Sequence, residues 1–160
     1  MHRRTLLFAA TALALPTPAF AQRANERRFA ESAWRQITDA QWRARLSEAS
    51  YGVLRHNQTE YAGSSPLDGE HRRGTFVCAG CGLELFRSQW KFDSGTGWPS
   101  FYRAIRANIA TRVDRELREE RTEYHCAQCL GHQGHVFDDG PAPTGLRYCN
   151  NGAALRFVPA

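Results

Sequence analysis

The chain has 160 residues and a formal net charge of +5, and 42% of its residues are hydrophobic. This length favours one domain with one core, and this apolar content excludes an intrinsically disordered chain. The basic residues are scattered, with no long basic run and no basic–aromatic stripe, so the positive charge does not predict nucleic-acid binding.

The N-terminus has the pattern of an export signal. Arg3-Arg4 precedes an apolar run from Leu6 to Leu15, and Ala19-Phe20-Ala21 forms a small-residue cleavage site before Gln22. The apolar run is too short to span a bilayer, and the two arginines also fit a twin-arginine signal. We expect residues 1–21 to be removed, which leaves a periplasmic or secreted protein without stable membrane association. A frayed amphipathic start is the alternative.

The segment after this signal is polar and rich in arginine. We expect residues 22–37 to form a flexible arm and residues 38–160 to form the domain. Thr38 and Gln41 fit a capping box, in which each side chain satisfies a free backbone amide at the start of a helix. Apolar residues follow at helical spacing, so a helix is predicted over 39–49.

Later segments change from helical to strand-like patterns. A further helical turn is predicted from Tyr51 to Arg55, and residues 57–74 are predicted to be loop because they are rich in Gly, Ser and Asp. Short β-favouring segments follow. They are Phe76 to Cys78, Leu83 to Phe86, Ile109 to Val113, Thr122 to Cys126, Val136-Phe137, Leu146 to Cys149 and Leu155 to Val158. The sequence therefore predicts a mainly antiparallel β domain with short N-terminal helices.

Four of the five cysteines form two C-x-x-C pairs. Zinc takes four tetrahedral thiolate or imidazole ligands, and one C-x-x-C turn supplies two of them. The pairs therefore predict one structural zinc ion with no open coordination position. Its ligands are Cys78, Cys81, Cys126 and Cys129.

Three alternatives to this zinc site remain open from the residues alone. Export favours disulfides, because they form in oxidising compartments. A redox-active C-x-x-C is the second alternative, although no thioredoxin-like βαβ pattern surrounds either pair. The third is a site built from Cys126, Cys129, His132 and His135, which would leave the first cysteine pair without a role.

The fifth cysteine, Cys149, has no cysteine nearby in the sequence. A reactive thiol needs positive charge or hydrogen-bond donors beside it, because the thiolate is the nucleophile. Residues two apart in a strand share a face, so Arg147, Cys149 and Asn151 are predicted to point together. A buried structural cysteine is the alternative.

Two other segments carry candidate site residues. His132 and His135 lie between glycines and before acidic residues, and we expect them to be donors on a loop that forms a Cys–His arrangement with Cys149. Trp98, held extended by Pro99, is predicted to form a pocket wall. The alternative for that segment is an ordinary turn with core aromatic residues.

Together these segments resemble the B-type methionine sulfoxide reductases, which act on the R epimer of methionine sulfoxide. The resemblance covers about residues 38–158 and is carried by CAGCGLELF, KFDSGTGWPSF, CAQCLGHQGHVFDDGPAPTGLRYCNN and GAALRF. It implies a fold of two antiparallel sheets with zinc on the four paired cysteines. It also implies thiol-dependent reduction of methionine (R)-sulfoxide in proteins or peptides, with a role in repairing oxidative damage.

The resemblance further implies a set of site residues. It implies catalytic roles for Cys149, His135, His132, Asp139, Arg147 and Asn151, and substrate binding by Trp98 and Phe137. Cys149 is then the nucleophile that becomes a sulfenic acid, and Arg147 lowers its pKa. Protonated His135, aided by His132 and Asp139, acts on the sulfoxide oxygen.

Three positions depart from the family pattern. Thr96 stands where many relatives have a second, recycling cysteine, Asn150 stands where most have an apolar residue, and Tyr61-Ala62 replaces the usual Pro-Phe. The first departure predicts recycling by an external thiol, such as that of a thioredoxin-like protein. The rival functions are a zinc-ribbon binding module with an inert Cys149 and a Cys–His acyl hydrolase.

Overall fold

Two antiparallel sheets make up most of the protein in a computed structural model that describes residues 24–116 and 119–160. The fold class predicted from the sequence is therefore confirmed. The predicted export signal, residues 1–21, lies outside the described residues. Within the described ranges, every helix is too short or too polar to cross a membrane.

Two short helices replace the single helix predicted over 39–49. Helix α1 comprises Asp39–Arg45 and helix α2 comprises Glu48–His56. The predicted capping box at the start of α1 is confirmed, because the side chains of Thr38 and Gln41 each bond the backbone of the other residue.

The break between the helices has a local cause. Leu46 is extended, with ψ of 153°, and the Ser47 hydroxyl accepts a hydrogen bond from the Ser50 amide at 3.1 Å. This cap starts a new helix where hydrophobic spacing alone predicts a continuous one. The predicted turn from Tyr51 to Arg55 lies inside α2, which ends at left-handed Asn57 with φ of 54°.

The described part of the predicted flexible arm contacts the domain. A helical turn at 24–28 and a 3₁₀ turn, Ala33–Arg35, precede α1. The Arg35 guanidinium donates to the carbonyl oxygens of Ala127 and Gln128 at 2.8 and 3.2 Å. The arm therefore lies against the loop that carries the second cysteine pair, whereas the sequence predicted a loose segment.

Nine strands follow in the described residues, and all seven predicted β segments are among them. They are β1 Gly74–Cys78, β2 Glu84–Arg87, β3 Lys91–Phe92, β4 Ser100–Phe101, β5 Ile109–Asp114, β6 Arg121–Cys126, β7 His132–Phe137, β8 Arg147–Asn150 and β9 Leu155–Pro159. The sequence did not predict β3 and β4, because two residues are too few to show an alternating pattern.

The two sheets pack through aromatic side chains. The small sheet has the order β2-β1-β9, and the large sheet has the order β3-β4-β8-β7-β6-β5. Phe86 of the small sheet stacks on Phe101 of the large sheet with ring centroids 4.1 Å apart, and Phe76 contacts Phe101 at 5.0 Å. All three rings are fully buried, and burial of each contributes about 1.5–3 kcal/mol to folding.

The register of the large sheet brings the candidate site together. Cys149 on β8 lies directly opposite His135 on β7 and opposite Ser100 on β4. The prediction that His132 and His135 lie on a loop is wrong, because both belong to β7. Gly134 between them permits the close approach of β7 to β8, since a Cβ there would lie 1.9 Å from the Cys149 carbonyl oxygen.

Candidate active site and metal site

Four sulfur atoms form a compact cluster between the two sheets. They belong to Cys78, Cys81, Cys126 and Cys129 and all lie within 4.8 Å of one another. The Cys78–Cys129 and Cys81–Cys126 separations are 3.6 and 3.5 Å. Four sulfurs held about 2.3 Å from a central ion lie about 3.8 Å apart, so the cluster has dimensions that fit a metal ion.

The same distances bear on the alternatives to a metal site. A disulfide requires a sulfur–sulfur distance of about 2.05 Å, and these cysteines are free in the described structure. His132 and His135 bond to carboxylates instead of joining Cys126 and Cys129. The geometry therefore favours the four-cysteine site over disulfides and over a mixed Cys–His site.

Secondary structure presents these ligands from both sheets. Cys78 ends β1 and Cys126 ends β6, and the other two cysteines lie in the turns that follow. The Arg55 guanidinium of α2 donates to the Cys129 carbonyl at 3.0 Å. A metal ion in this cluster would therefore join the small sheet, the large sheet and the N-terminal helices.

Cys149 opens into a cavity of about 140 Å³. The cavity is lined by Thr59, Trp98, Arg121, Gly134, His135, Phe137, Cys149, Asn150 and Asn151. The structure thus brings together five of the eight predicted site residues. His132, Asp139 and Arg147 lie outside this lining.

The surroundings of the Cys149 thiol act on its pKa in opposite directions. Burial raises the pKa of this thiol, and it outweighs the lowering caused by the Arg147 charge and the Thr96 hydroxyl. Arg147 therefore acts in the direction that the resemblance implies, but the thiol of the protein without substrate remains protonated at neutral pH.

His135 is held by an acid from β5. Its Nε2 lies 2.7 Å from Asp114 Oδ2, and Asp114 also accepts from Arg121 at 2.6 Å. The Glu116 amide, with these two donors, lowers the pKa of Asp114, so the ionised carboxylate requires His135 Nε2 to carry the hydrogen. Burial lowers the pKa of His135 despite this partner.

His132 is held by a buried acid from β6. Its Nδ1 lies 2.8 Å from Glu123 Oε1, and both side chains are almost fully buried. Burial raises the pKa of Glu123, but hydrogen bonds from His125 and His132 outweigh it and hold the pKa at about 2. Glu123 therefore accepts from His132 Nδ1 and fixes the orientation of that ring.

Comparison with known proteins agrees with this geometry. Residues 46–159 match the SelR domain. The chain is 53% identical over 123 residues to the peptide methionine sulfoxide reductase MsrB of Thiobacillus denitrificans. The aligned residues are 76% of this chain and 93% of that protein. The chain belongs to the MsrB family.

Other MsrB relatives cover the same part of the chain. The MsrB of Bradyrhizobium diazoefficiens is 52% identical over 123 residues, which are 76% of this chain and 88% of that protein. The chloroplastic peptide methionine sulfoxide reductase B1 of Oryza sativa subsp. japonica is 46% identical over 121 residues, which are 75% of this chain and 56% of that protein. The resemblance stated from the sequence motifs is thereby confirmed.

In this MsrB-family chain, Asp139 has a different partner from the one that the motif implied. Its carboxylate accepts two hydrogen bonds from the Arg147 guanidinium at 2.8 and 2.7 Å, and these lower the pKa of Asp139. The same guanidinium lies over the Phe137 ring, 4.3 Å from its centroid. Asp139 thus orients Arg147, whereas Asp114 and Glu123 are the acids that hold the two histidines.

Sequence reasoning missed Asp114, Arg121 and Glu123. They come from β5 and β6, and only the pairing of these strands with β7 brings them to the histidines. One signal was available in the sequence. Glu123 places a charge inside the strand predicted from Thr122 to Cys126, and a buried charge of this kind requires a partner.

Two departures from the family pattern, Asn150 and Tyr61, differ in their surroundings. The Tyr124 hydroxyl donates to Asn150 Oδ1 at 2.6 Å, and Asn150 Nδ2 donates to the Asn151 carbonyl at 2.6 Å. The Asn150 departure from the family pattern is therefore a satisfied, buried polar contact. The Tyr61 departure is different, because this side chain is 90% exposed.

Proposed function

We propose that this chain reduces methionine (R)-sulfoxide in peptides and proteins to methionine, with Cys149 as the nucleophile. Membership of the MsrB family supports the reaction and its substrate class. The observation that carries the assignment is the strand register, which sets Cys149 opposite His135 within the cavity lined by Trp98 and Phe137. The aromatic side chains offer an apolar contact for the methyl and methylene groups of methionine.

The proposed chemistry transfers one oxygen atom. The Cys149 sulfur attacks the electrophilic sulfoxide sulfur and forms a sulfur–sulfur bond. The oxygen then passes to the Cys149 sulfur, the sulfur–sulfur bond and the substrate sulfur–oxygen bond break, and methionine leaves Cys149 as a sulfenic acid. The substrate sulfur gains two electrons, and Cys149 loses two. Because these electrons come from Cys149, this step needs no other reductant. The thiol proton ends on the sulfenic acid.

Protonation of the sulfoxide oxygen is the proposed role of His135. The oxygen leaves poorly as an anion, so a positioned acid accelerates the step, typically by 10²–10⁴-fold. Asp114 fixes the ring through Nε2. Nδ1 is then the nitrogen left to exchange a proton with Cys149 or the substrate.

We expect a broad pH plateau for the reductive step. The reactive pair, a Cys149 thiolate with a protonated His135, is a proton tautomer of the neutral pair that prevails between their two pKa values. Both states carry the same number of protons, so the fraction of the reactive pair does not change with pH in this interval. The interval is broad because the pKa of His135 is lowered and the pKa of Cys149 is raised. Activity should fall at lower pH as the thiol stays protonated, and at higher pH as the imidazole stays neutral.

His135→Asn tests this relation directly. The variant needs only the thiolate, so its slower rate should rise with pH until Cys149 is ionised, without the decline at high pH. Single-turnover rates from about pH 5 to about pH 10 measure both profiles. His71→Asn, at an exposed histidine outside the cavity, is the control. A variant profile with the wild-type shape contradicts the proposed role of His135.

We propose that an external thiol reduces the sulfenic acid. Thr96 contributes a hydroxyl beside Cys149 where a recycling cysteine would lie, and the other four cysteines belong to the metal cluster. Two external thiols then regenerate Cys149 and release water and a disulfide. A thioredoxin-like protein or a small thiol fits this role.

Thiol counting after one turnover tests external recycling. Reduced enzyme mixed with substrate and no reductant should lose one thiol per chain and gain one oxygen by intact mass. Thr96→Cys should lose two thiols and form a disulfide between the introduced thiol and Cys149, because residue 96 lies beside the Cys149 sulfur. Loss of two thiols in the wild type, with Cys149 bonded to a cysteine of the metal cluster, contradicts this route.

The metal is proposed to be zinc. Four thiolates in a closed, mostly buried set are the ligands of structural zinc, and the cluster leaves no position for substrate. Cys78, Cys81, Cys126 and Cys129 would hold the ion. The ion would contribute to the fold and would take no part in the reductive step.

We also propose that the protein is exported to the periplasm or secreted. The N-terminal arginines, the apolar run and the Ala19-Phe20-Ala21 pattern support this. Sequencing the N-terminus of the cell-associated and exported forms tests it. A mature chain that still begins at Met1 contradicts it.

An assay with separated epimers tests the proposed function. A synthetic peptide with one methionine R-sulfoxide should be reduced with dithiothreitol as the chemical reductant, and the S-sulfoxide peptide should not. A zinc-binding module with an inert Cys149 would reduce neither peptide. A Cys–His acyl hydrolase would cleave an ester probe and leave both sulfoxides unchanged.

A further inference from the structure

One residue of the loop between α2 and β1, Glu60, makes two hydrogen bonds to the walls of the Cys149 cavity and two to the turn that directly follows one of these walls. The Glu60 carboxylate accepts from the amides of Gly152 and Ala153 at 2.6 and 2.8 Å. The Glu60 amide donates to Asn151 Oδ1 at 3.0 Å, and its carbonyl accepts from Trp98 Nε1 at 3.2 Å. These partners come from two distant parts of the chain.

The carboxylate replaces a missing helix cap. Gly152–Ala154 forms a 3₁₀ turn directly after the Cys149 strand, and the Asn151 side chain at its N-cap makes no capping bond. The Asn151 amide is instead engaged with Gln133 and Glu60. The free amides at the start of this turn are satisfied by Glu60, through charge-assisted bonds that are stronger than neutral ones.

The backbone of the same residue holds the opposite wall. Trp98 and Asn151 both line the cavity, and Glu60 bonds each of them. The Gly63 amide adds a second link by donating to the Gly97 carbonyl at 2.7 Å. The separation between the Trp98 ring and the end of the Cys149 strand therefore depends on the position of Glu60.

We propose that Glu60 is a positioning residue that sets the distance between Trp98 and Cys149 for the sulfoxide substrate. This inference rests on the proposed reductase function. Loss of the carboxylate frees the turn at Gly152 and with it the loop that carries the Trp98 contact. Because misplacement by about 1 Å can cost about 100-fold in rate, we expect kcat/KM to fall by about 10- to 100-fold.

The test compares two reactions of the same thiol. Reduction of the R-sulfoxide peptide requires both Trp98 and Cys149, whereas alkylation by iodoacetamide requires only the thiol. Glu60→Ala should lower kcat/KM for the peptide, with a raised KM, and should leave the alkylation rate of Cys149 and the metal content unchanged. Glu60→Gln keeps one acceptor oxygen of similar shape and should show a smaller loss.

Glu70→Ala is the matched control. Glu70 lies in the same loop and also accepts a backbone amide, that of Arg72 at 2.9 Å, but it contacts no residue of the cavity. This variant should keep the wild-type kcat/KM.

Two results overturn the inference. The first is that Glu60→Ala and Glu60→Gln both keep the wild-type kcat/KM. The second is that both Glu60 variants lose peptide reduction, Cys149 alkylation and metal together, because Glu60 would then stabilise the fold as a whole. A wild-type protein inactive on the peptide refutes the proposed function instead.

Discussion

Cys149→Ser is expected to abolish reduction of the R-sulfoxide peptide. A serine hydroxyl is a far weaker nucleophile at neutral pH and forms no sulfenic acid, so turnover should fall by about 10⁴-fold or more. The backbone pairing of β8 with β4 and β7 does not involve the side chain of residue 149. Steady-state assays with dithiothreitol measure the loss.

The controls for this variant separate chemistry from folding. Serine is nearly isosteric with cysteine, so metal content and the thermal midpoint should stay close to the wild-type values. Reductase activity from other proteins of the cell lysate must be excluded by purifying the variant to constant specific activity. Appreciable turnover that survives this purification would show that another residue is the nucleophile.

Cys81→Ser and Cys126→Ser are each expected to release the metal and unfold the domain. Structural zinc in small sites contributes roughly 10 kcal/mol or more, whereas the net stability of a domain is about 5–15 kcal/mol. Cys126 is buried and Cys81 is partly exposed. Both variants should nevertheless fail, because each removes one ligand from a closed set of four. Metal analysis and circular dichroism measure the outcome.

The wild-type protein, in contrast to these variants, is expected to hold the metal and to stay folded. It should carry one zinc ion per chain, and a chelator should denature it reversibly. Purified protein without metal, with two internal disulfides by mass spectrometry, would replace the metal site with the oxidised alternative. Cys149→Ser serves as the matched control, since this cysteine lies outside the cluster and its loss should leave the metal bound.

The sequence predicted the parts of the fold that local patterns encode. The capping box at Thr38 and the strand segments follow from spacing that neighbouring residues determine. The break at Leu46 was missed because the hydrophobic spacing continues across it, while the Ser47 cap decides the conformation. The strands β3 and β4 are too short to leave a pattern, and pairing with β8 creates them.

The candidate site shows the same division between local and long-range information. The motifs identified Cys149 and both histidines, because each lies within a short segment that resembles the family. Their acidic partners could not be found this way, since Asp114 and Glu123 reach the histidines only through sheet pairing. The family resemblance implied that Asp139 aids the histidines, whereas its side chain bonds Arg147.

Gly134 has a consequence for experiments that rank residues by how well they tolerate substitution. It performs no chemistry, yet any side chain there would push its Cβ into the backbone of Cys149. Backbone atoms cannot rotate aside as a flexible side chain can, so a mutational scan for activity should find position 134 as intolerant as position 149. Intolerance alone would therefore rank a steric residue as catalytic, and only a parallel measurement of folded protein would distinguish the two.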